Sequence, residues 1–360
     1  MPKVRQLVSR FQETDFYFRL LSIENKPKKV VITLIAIVAL FAPYITDIYV
    51  ETILIFILLY TLVGFGIYLL IGHAGIVSLG QVGFYCIGAY LSAIISIEFG
   101  ISPWLSLCCA AIVNAGIAYL IGKPFFEAGG MSLAVITLAF SLVVYITVAR
   151  LPITGGHDGI SGIPRFSIGS LKFGDTLCYY LLLAVVGIAL LFSYNLTEKK
   201  IGRGLRAMNE FGGGDEIATI SSGIDVTKLK TQLFVISAVL ASFAGSIFAH
   251  WLTTINPDFF GILVTFVFVM IVGIGGFRSI WGALIGAVFY FGLKEMLSVV
   301  MHGQKVLGGE IIVFGLIFIL ILIFLPGGIT SLPDEWREWR HEWQLKRGKK
   351  QIVSHEDWLK

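Results

Sequence analysis

YVETILIFILLYTLVGFGIYLLIGHAGIVSLGQVG, residues 49–83, decides the fold class. The run Tyr49–Ile71 carries a single charge, Glu51, and is long enough to cross the ~30 Å hydrocarbon core of a bilayer as a helix. The next twelve residues, Gly72–Gly83, hold four glycines and also His73, Ser78 and Gln81. A continuous helix is not expected there. A helix broken or re-entrant at this point would free backbone groups to line a pathway, which membranes accept only where those groups face a cavity or protein. The competing reading is close helix packing through small residues.

The rest of the chain follows the same pattern. Of 360 residues, 56% are apolar and 14% charged, with mean hydropathy +0.86. Soluble domains carry about 25% charged residues, so a disordered chain and a large soluble enzyme are both excluded. Ten apolar runs follow one another: Val30–Thr46, Tyr49–Ile71, Ile76–Ile97, Pro103–Ile121, Met131–Ala149, Thr176–Tyr194, Thr231–Leu252, Phe259–Ile274, Ile280–Val300 and Ile311–Leu325. The predicted fold is all-α integral membrane, with about ten transmembrane helices interrupted by broken or re-entrant Gly-rich segments. Residues 1–29 form an interfacial cytoplasmic lead, too long in its charged part for a cleavable signal peptide. Residues 30–329 form the membrane domain, with an inner loop at 196–230 and an outer loop at 151–175. Residues 330–360 form a basic tail, in which Trp336, Trp339 and Trp343 suit a helix lying on the membrane surface. With ten spans and both termini cytoplasmic, 22 of the 27 Lys and Arg residues fall on the cytoplasmic side. The net charge of +4 therefore reads as membrane orientation, not nucleic-acid binding.

The chemistry of the chain is sparse. Cys86, Cys108, Cys109 and Cys178 show no metal-ligand or CxxC spacing and read as buried, reduced thiols. No phosphate-loop motif is present, since Gly122-Lys123 is followed by Pro124. His157-Asp158 falls far short of a metal-ligand set. No Asp, Glu, Lys or Arg sits at the middle of a predicted span, which argues against proton coupling and places the driving energy elsewhere. A second glycine cluster, Gly273–Gly286, joins the eighth and ninth runs. Ser279-Ile280-Trp281-Gly282 has a flavour similar to Ser78-Leu79-Gly80, a hint of an internal repeat. In the inner loop, a short helix from Asp215 would place Ile217, Ile220 and Ile224 along one side, with Glu216 and Ala218 between. Asp215 and Glu216 would cap its start and Gly223 would stop it. Such a helix has no core of its own to cover; it either lies on lipid or offers a knob to a cytoplasmic partner.

These pieces, in this order, resemble the permease subunit of branched-chain amino acid ABC importers, the LivM type, within a wider group that includes ribose-type and urea permeases. The resemblance runs from Tyr49 to Ile329. It rests on Gly72-His73-Ala74-Gly75 with Ser78-Leu79-Gly80, Ile136–Phe140, Thr154-Gly155-Gly156 with Gly159-Ile160, Gly202–Ala207, Gly223-Ile224, Phe234–Ala238, Asn256-Pro257-Asp258, Gly275-Gly276 with Trp281-Gly282, and Leu325–Gly328.

The resemblance implies about ten helices, paired with a second homologous permease around a central pathway in the bacterial cytoplasmic (inner) membrane. It implies an extracytoplasmic substrate-binding protein docking outside, with Thr154, Gly155 and Gly156 in the docking loop. Two ATP-binding subunits dock inside, so the chain itself holds no ATP, cofactor or metal and is no enzyme. The Asp215–Gly223 helix corresponds to the coupling helix. A pathway lined by backbone at Gly80 and by His73, Ser78, Gln81, Asn114, Thr137 and Ser141 would be neutral and mildly polar, compatible with a zwitterion. Leucine, isoleucine and valine lead as substrates, with other amino acids, urea or a short amide behind them. A stand-alone secondary transporter is the reading from another class, and the missing mid-membrane charges speak against it. The chain departs from the pattern at Phe211-Gly212-Gly213-Gly214, an apparent insertion, and at Ile220, where relatives commonly carry glutamate.

Overall fold

A computed structural model describes residues 39–44, 47–127, 130–169, 171–198, 202, 204–205, 208, 216–277, 279–300, 309–324 and 327–332. Residues 39–44 are helical and belong with Met1–Glu51 to a small N-terminal unit; the bundle is built from Thr52 onward. The lead at 1–29, the Phe211–Gly214 insertion, Asp215 and the Trp-rich tail lie outside the described residues.

The apolar runs become helices because lipid offers no partner to a peptide group, so each must be satisfied within its own segment. In chain order these are α1 (Ile48–Tyr68) with one π turn (Leu69–His73), α2 (Gln81–Glu98), α3 (Pro103–Glu127), α4 (Gly130–Arg150), α5 (Asp175–Glu198), the short α6 (Glu216–Ser221), α7 (Val226–Leu252), α8 (Ile262–Gly275), α9 (Ile280–Val300) and α10 (Gly309–Phe324). Among the described residues seven segments are long and apolar enough to cross a membrane, beginning at Ile48, Gln81, Pro103, Leu133, Asp175, Val226 and Ile280. The 14 residues of α8 reach only about 21 Å. Its run begins in sequence at Phe259, but Pro257–Phe260 fold as a 3-10 turn and the helix starts only after Gly261. The third run likewise starts its helix five residues late, at Gln81 rather than Ile76.

The core forms where α7 packs on α1, α2 and α3, and small side chains set the distance. A β-carbon on Gly88 of α2 would come within 2.6 Å of the Ser242 Cα of α7, and one on Gly245 would overlap the Tyr85 carbonyl oxygen. A β-carbon on Gly66 of α1 would meet the Ser237 hydroxyl at 2.5 Å. Backbones brought this close gain dispersion contacts that lipid cannot supply. Around them sits an aromatic cluster of Phe56, Tyr60, Tyr85, Phe248, Phe260, Phe268 and Phe291, with centroids 4.8 to 6.3 Å apart in successive pairs. All four cysteines are free. Cys86 and Cys178 are buried as expected, but Cys108 is exposed on α3, because adjacent residues 108 and 109 of a helix cannot both face one neighbour.

Cross-links fix which connections share an end of the bundle. Strand β1 (Ile160–Ser161), from the 151–175 loop, pairs antiparallel with β4 (Thr254–Ile255), which follows α7. The same loop folds its own hairpin, β2 (Ser167–Ile168) with β3 (Leu171–Lys172). The indole of Trp104 donates to the Ser167 carbonyl at 3.0 Å, and that of Trp251 donates to the Asp175 carboxylate at 3.2 Å. At the opposite end the two glycine clusters meet. A β-carbon on Gly72 would overlap the Phe277 carbonyl oxygen, and Gly276 lies against Gly327 and Gly328.

Candidate functional site

The site is built on the interruption between α1 and α2. The π turn Leu69–His73 widens the end of α1, and Gly75, at φ +67°, turns the chain out of the helix. The Ile76 amide then closes back on the Leu70 carbonyl at 2.9 Å. Only glycine adopts that left-handed conformation without strain. From Gly75 to Gly80 the backbone is non-helical, with Ile76, Ser78 and Gly80 buried, so its peptide groups need partners from elsewhere.

Helix α4 supplies them. Thr137 and Ser141, one turn apart, face the irregular segment. The Leu79 amide donates to Thr137 Oγ1 at 3.0 Å, and Ser141 Oγ donates to the Leu79 carbonyl at 3.1 Å while accepting from the Gly83 amide at 3.2 Å. Ser78 Oγ accepts from the Gly80 amide at 3.3 Å. Thus Ser78, Gly80, Thr137 and Ser141, scattered over 64 residues of sequence, are brought together. Their hydroxyls bind the backbone of the break. A β-carbon on Gly80 would crowd Thr137 at 3.2 Å, so close packing and interruption coexist. His73 is half-buried, with Nε2 at 3.0 Å from the Tyr68 hydroxyl. Asn114 of α3, fully buried, donates through Nδ2 to the Phe84 carbonyl at 3.1 Å and braces α2 from its other side. Gln81 opens α2; it is buried, and neither carboxamide atom has a hydrogen-bond partner.

In the 151–175 loop, Thr154 is buried and its hydroxyl donates to the Val148 and Leu151 carbonyls, closing α4. Gly155 and Gly156 follow at φ +73° and +59°, and a β-carbon on Gly155 would strike the Gly159 carbonyl. These residues shape the loop by backbone. Sequence reading missed the group that ties the loop down, His250. Its imidazole is fully buried near the end of α7. Nδ1 lies 2.7 Å from the Pro164 carbonyl, which can only accept, so Nδ1 carries the proton and Nε2 accepts from Ser92 Oγ at 2.8 Å. Ser106 joins at 3.3 Å and receives a hydrogen bond from Ser96 at 2.8 Å. Each partner lies far from His250 in sequence; the one available signal was a histidine near the end of an apolar run. Removing the imidazole in His250→Leu deletes bonds worth about 1–3 kcal/mol. Trypsin cleavage at Arg165 and Lys172 of the intact protein is expected to quicken about tenfold, and an unchanged cleavage rate would remove the tether.

In the 196–230 loop, α6 spans six residues. Gly223, at φ +81°, ends it, with its amide donating to the Ile220 carbonyl at 2.9 Å and that of Ile224 to the Thr219 carbonyl at 3.4 Å. This pair of reversed bonds is a Schellman closure. Ile220 is exposed and Ile224 partly so. Glu216, Ile217 and Ala218 lie on the helix. The next helix, α7, is capped by Asp225, which accepts from the Lys228 amide at 2.9 Å.

Comparison with known proteins follows this geometry. Residues 49–325 match the family model described as the permease component of branched-chain amino acid transport systems. The chain is 30% identical over 301 residues to the high-affinity branched-chain amino acid transport system permease protein LivM of Salmonella typhimurium, covering 76% of this chain and 68% of that protein. It is 28% identical to LivM of Escherichia coli, over 81% of this chain and 71% of that protein. The guanosine ABC transporter permease protein NupQ of Bacillus subtilis is 24% identical over 63% of this chain and 75% of its own length. No solved structure matches.

Proposed function

The chain belongs to the family of branched-chain amino acid transport permease components, and from that premise we propose that it forms the membrane pathway of an ATP-driven importer for leucine, isoleucine and valine. The observation that carries the reading is the unwound Gly75–Gly80 segment, stitched to α4 inside an apolar bundle. Non-helical backbone at membrane depth is kept where it lines a route for solute or is enclosed by protein.

The permease domain covers residues 30–329 and crosses the membrane ten times, with an internal repeat relating its glycine clusters, in the bacterial cytoplasmic membrane with both termini inside. It pairs with a second homologous permease. An external binding protein docks on the 151–175 loop around Thr154, Gly155 and Gly156. Two ATP-binding subunits bind the 196–230 loop, where Asp215, Glu216, Ile217, Ala218, Ile220, Gly223 and Ile224 form the coupling element. The nucleotide stays on those partners, and this chain has no ATPase site, cofactor or metal. His73, Ser78, Gly80, Gln81, Asn114, Thr137 and Ser141 surround the route. Residues 1–29 and 330–360 anchor the ends at the inner surface.

Purification in mild detergent from the native membrane tests the assembly: co-elution of two ATP-binding proteins and a second permease is expected, followed by ATP-dependent leucine uptake in liposomes. A lone chain that transports without them would transfer the reading to a secondary transporter. Topology is tested separately. A reporter at Ser167 is expected to be extracytoplasmic and one at Gly213 cytoplasmic, and the reverse pair would break the ten-span arrangement.

A further inference from the structure

Depth in the bundle singles out one residue. His250 lies two residues from the end of α7 and holds Ser92 of α2 at 2.8 Å, six residues before α2 ends at Glu98. Gln81 precedes Ser92 by eleven helical residues, about 16 Å along the axis. That puts Gln81 about 25 Å from the Glu98 end of α2, within a hydrocarbon core of about 30 Å. Helix α2, 18 residues and about 27 Å long, begins inside the bundle with the positive end of its dipole and Gln81 at the same point.

Most other polar groups around this point are bonded within the protein, the Oδ1 of Asn114 excepted. Ser78 is bonded to Gly80, Thr137 to Leu79, Ser141 to Leu79 and Gly83, and Asn114 to Phe84 through its donor. Gln81 is different: at 2% exposure it keeps both Nε2 and Oε1 unpartnered. A buried carboxamide without partners is destabilising, by an amount that an apolar residue of the same shape would avoid. Such a group persists where something else meets it.

We infer that the Gln81 carboxamide and the N-terminal end of α2 form a contact site, enclosed in the bundle, for the zwitterionic head group of an α-amino acid. Nε2 donates to the carboxylate, Oε1 accepts from the adjacent ammonium, and the helix dipole adds to the attraction for the carboxylate. A carboxamide offers one donor edge and one acceptor edge in a plane, which matches a zwitterion while adding no net charge to the membrane interior. This inference rests on the reading of the chain as an amino acid permease.

The test uses the full complex in liposomes, with its ATP-binding subunits, second permease and binding protein, and with leucine as the probe. Gln81→Leu is expected to lower the maximal uptake rate at least tenfold while the purified complex melts at the same temperature or higher. Gln81→Glu, which sets a carboxylate against the substrate's own, is expected to lower uptake at least a hundredfold. A purely structural glutamine gives the opposite split, so Gln81→Leu with more than half of wild-type uptake overturns the inference. Should the variants fail to assemble, a diazirine analogue of leucine in turning-over wild-type complex decides: cross-links within Ser78–Phe84 are expected, and cross-links confined to other segments overturn it. A wild-type complex that carries an uncharged solute but no leucine overturns the functional reading itself, and with it this inference.

Discussion

Gly223→Pro is expected to lower ATP-driven leucine uptake by the proposed complex more than tenfold, while the chain still accumulates in the membrane. Helix α6 has only six residues, far fewer than a helix needs to hold itself in water, so its two closing bonds carry a large share of its order. Both depend on Gly223 at φ +81°. Proline locks φ near −65° and has no amide to give Ile220. The substitution removes one bond outright and swings the Ile224 amide off Thr219. Gly223→Ala keeps the amide and strains only φ, at about 1–2 kcal/mol, so an intermediate rate is expected. An added charge at Ile217 should uncouple in the same way without touching the cap. The measurement is uptake per complex beside the amount of chain in the membrane. Normal uptake in Gly223→Pro would mean that α6 does not transmit the ATPase stroke.

A second substitution acts on the fold itself. Gly245→Leu is expected to leave almost no folded chain after detergent extraction, a loss of about 3 kcal/mol or more. The side chain would have to enter where the Tyr85 carbonyl oxygen and the Ala89 amide of α2 already sit. Those are backbone atoms inside a regular helix and cannot turn aside as a rotamer does. Separating α7 from α2 would also draw Ser246 Oγ from the Gly88 carbonyl, which it meets at 2.9 Å. Gly116→Leu on α3 is the control, since nothing lies within 4 Å of a β-carbon there; its extraction yield and melting temperature should match wild type. Equal losses in both variants would show that glycine-to-leucine exchange harms this bundle generally and that the α2–α7 approach has no special weight.

The membrane class was legible from composition, because a charge fraction this low leaves nothing to face water. The interruption after Ile71 was legible as a cluster of glycines, since only glycine takes the conformation at Gly75. What sequence could not show was where the freed peptide groups go. Thr137 and Ser141 are 58 residues from Leu79 and Gly83, and no local pattern joins them. The same holds for His250, whose partners come from α2, α3 and the 151–175 loop. Element edges shifted for local reasons: α2 starts at Gln81 because the Leu79 amide and carbonyl just before it are bonded to side chains of α4 and not within a helix, and α8 starts at Ile262 because Pro257 opens a 3-10 turn. Ten apolar runs yield seven full-length spans among the described residues because α8 and α10 are shorter and most of Val30–Thr46 lies outside those residues.

The fastening of α4 to the interruption is lopsided. Thr137 Oγ1 also donates to the Leu133 carbonyl of its own helix at 2.9 Å, so α4 loses little if the segment slides away. The debt falls on the other side, where the Leu79 peptide would be stripped of both partners and the Gly83 amide of its serine. With each such bond contributing about 1 kcal/mol net, parting the two costs a few kcal/mol, and α4 keeps its shape as a fixed rail against which the lower half of α2 can disengage and reseat.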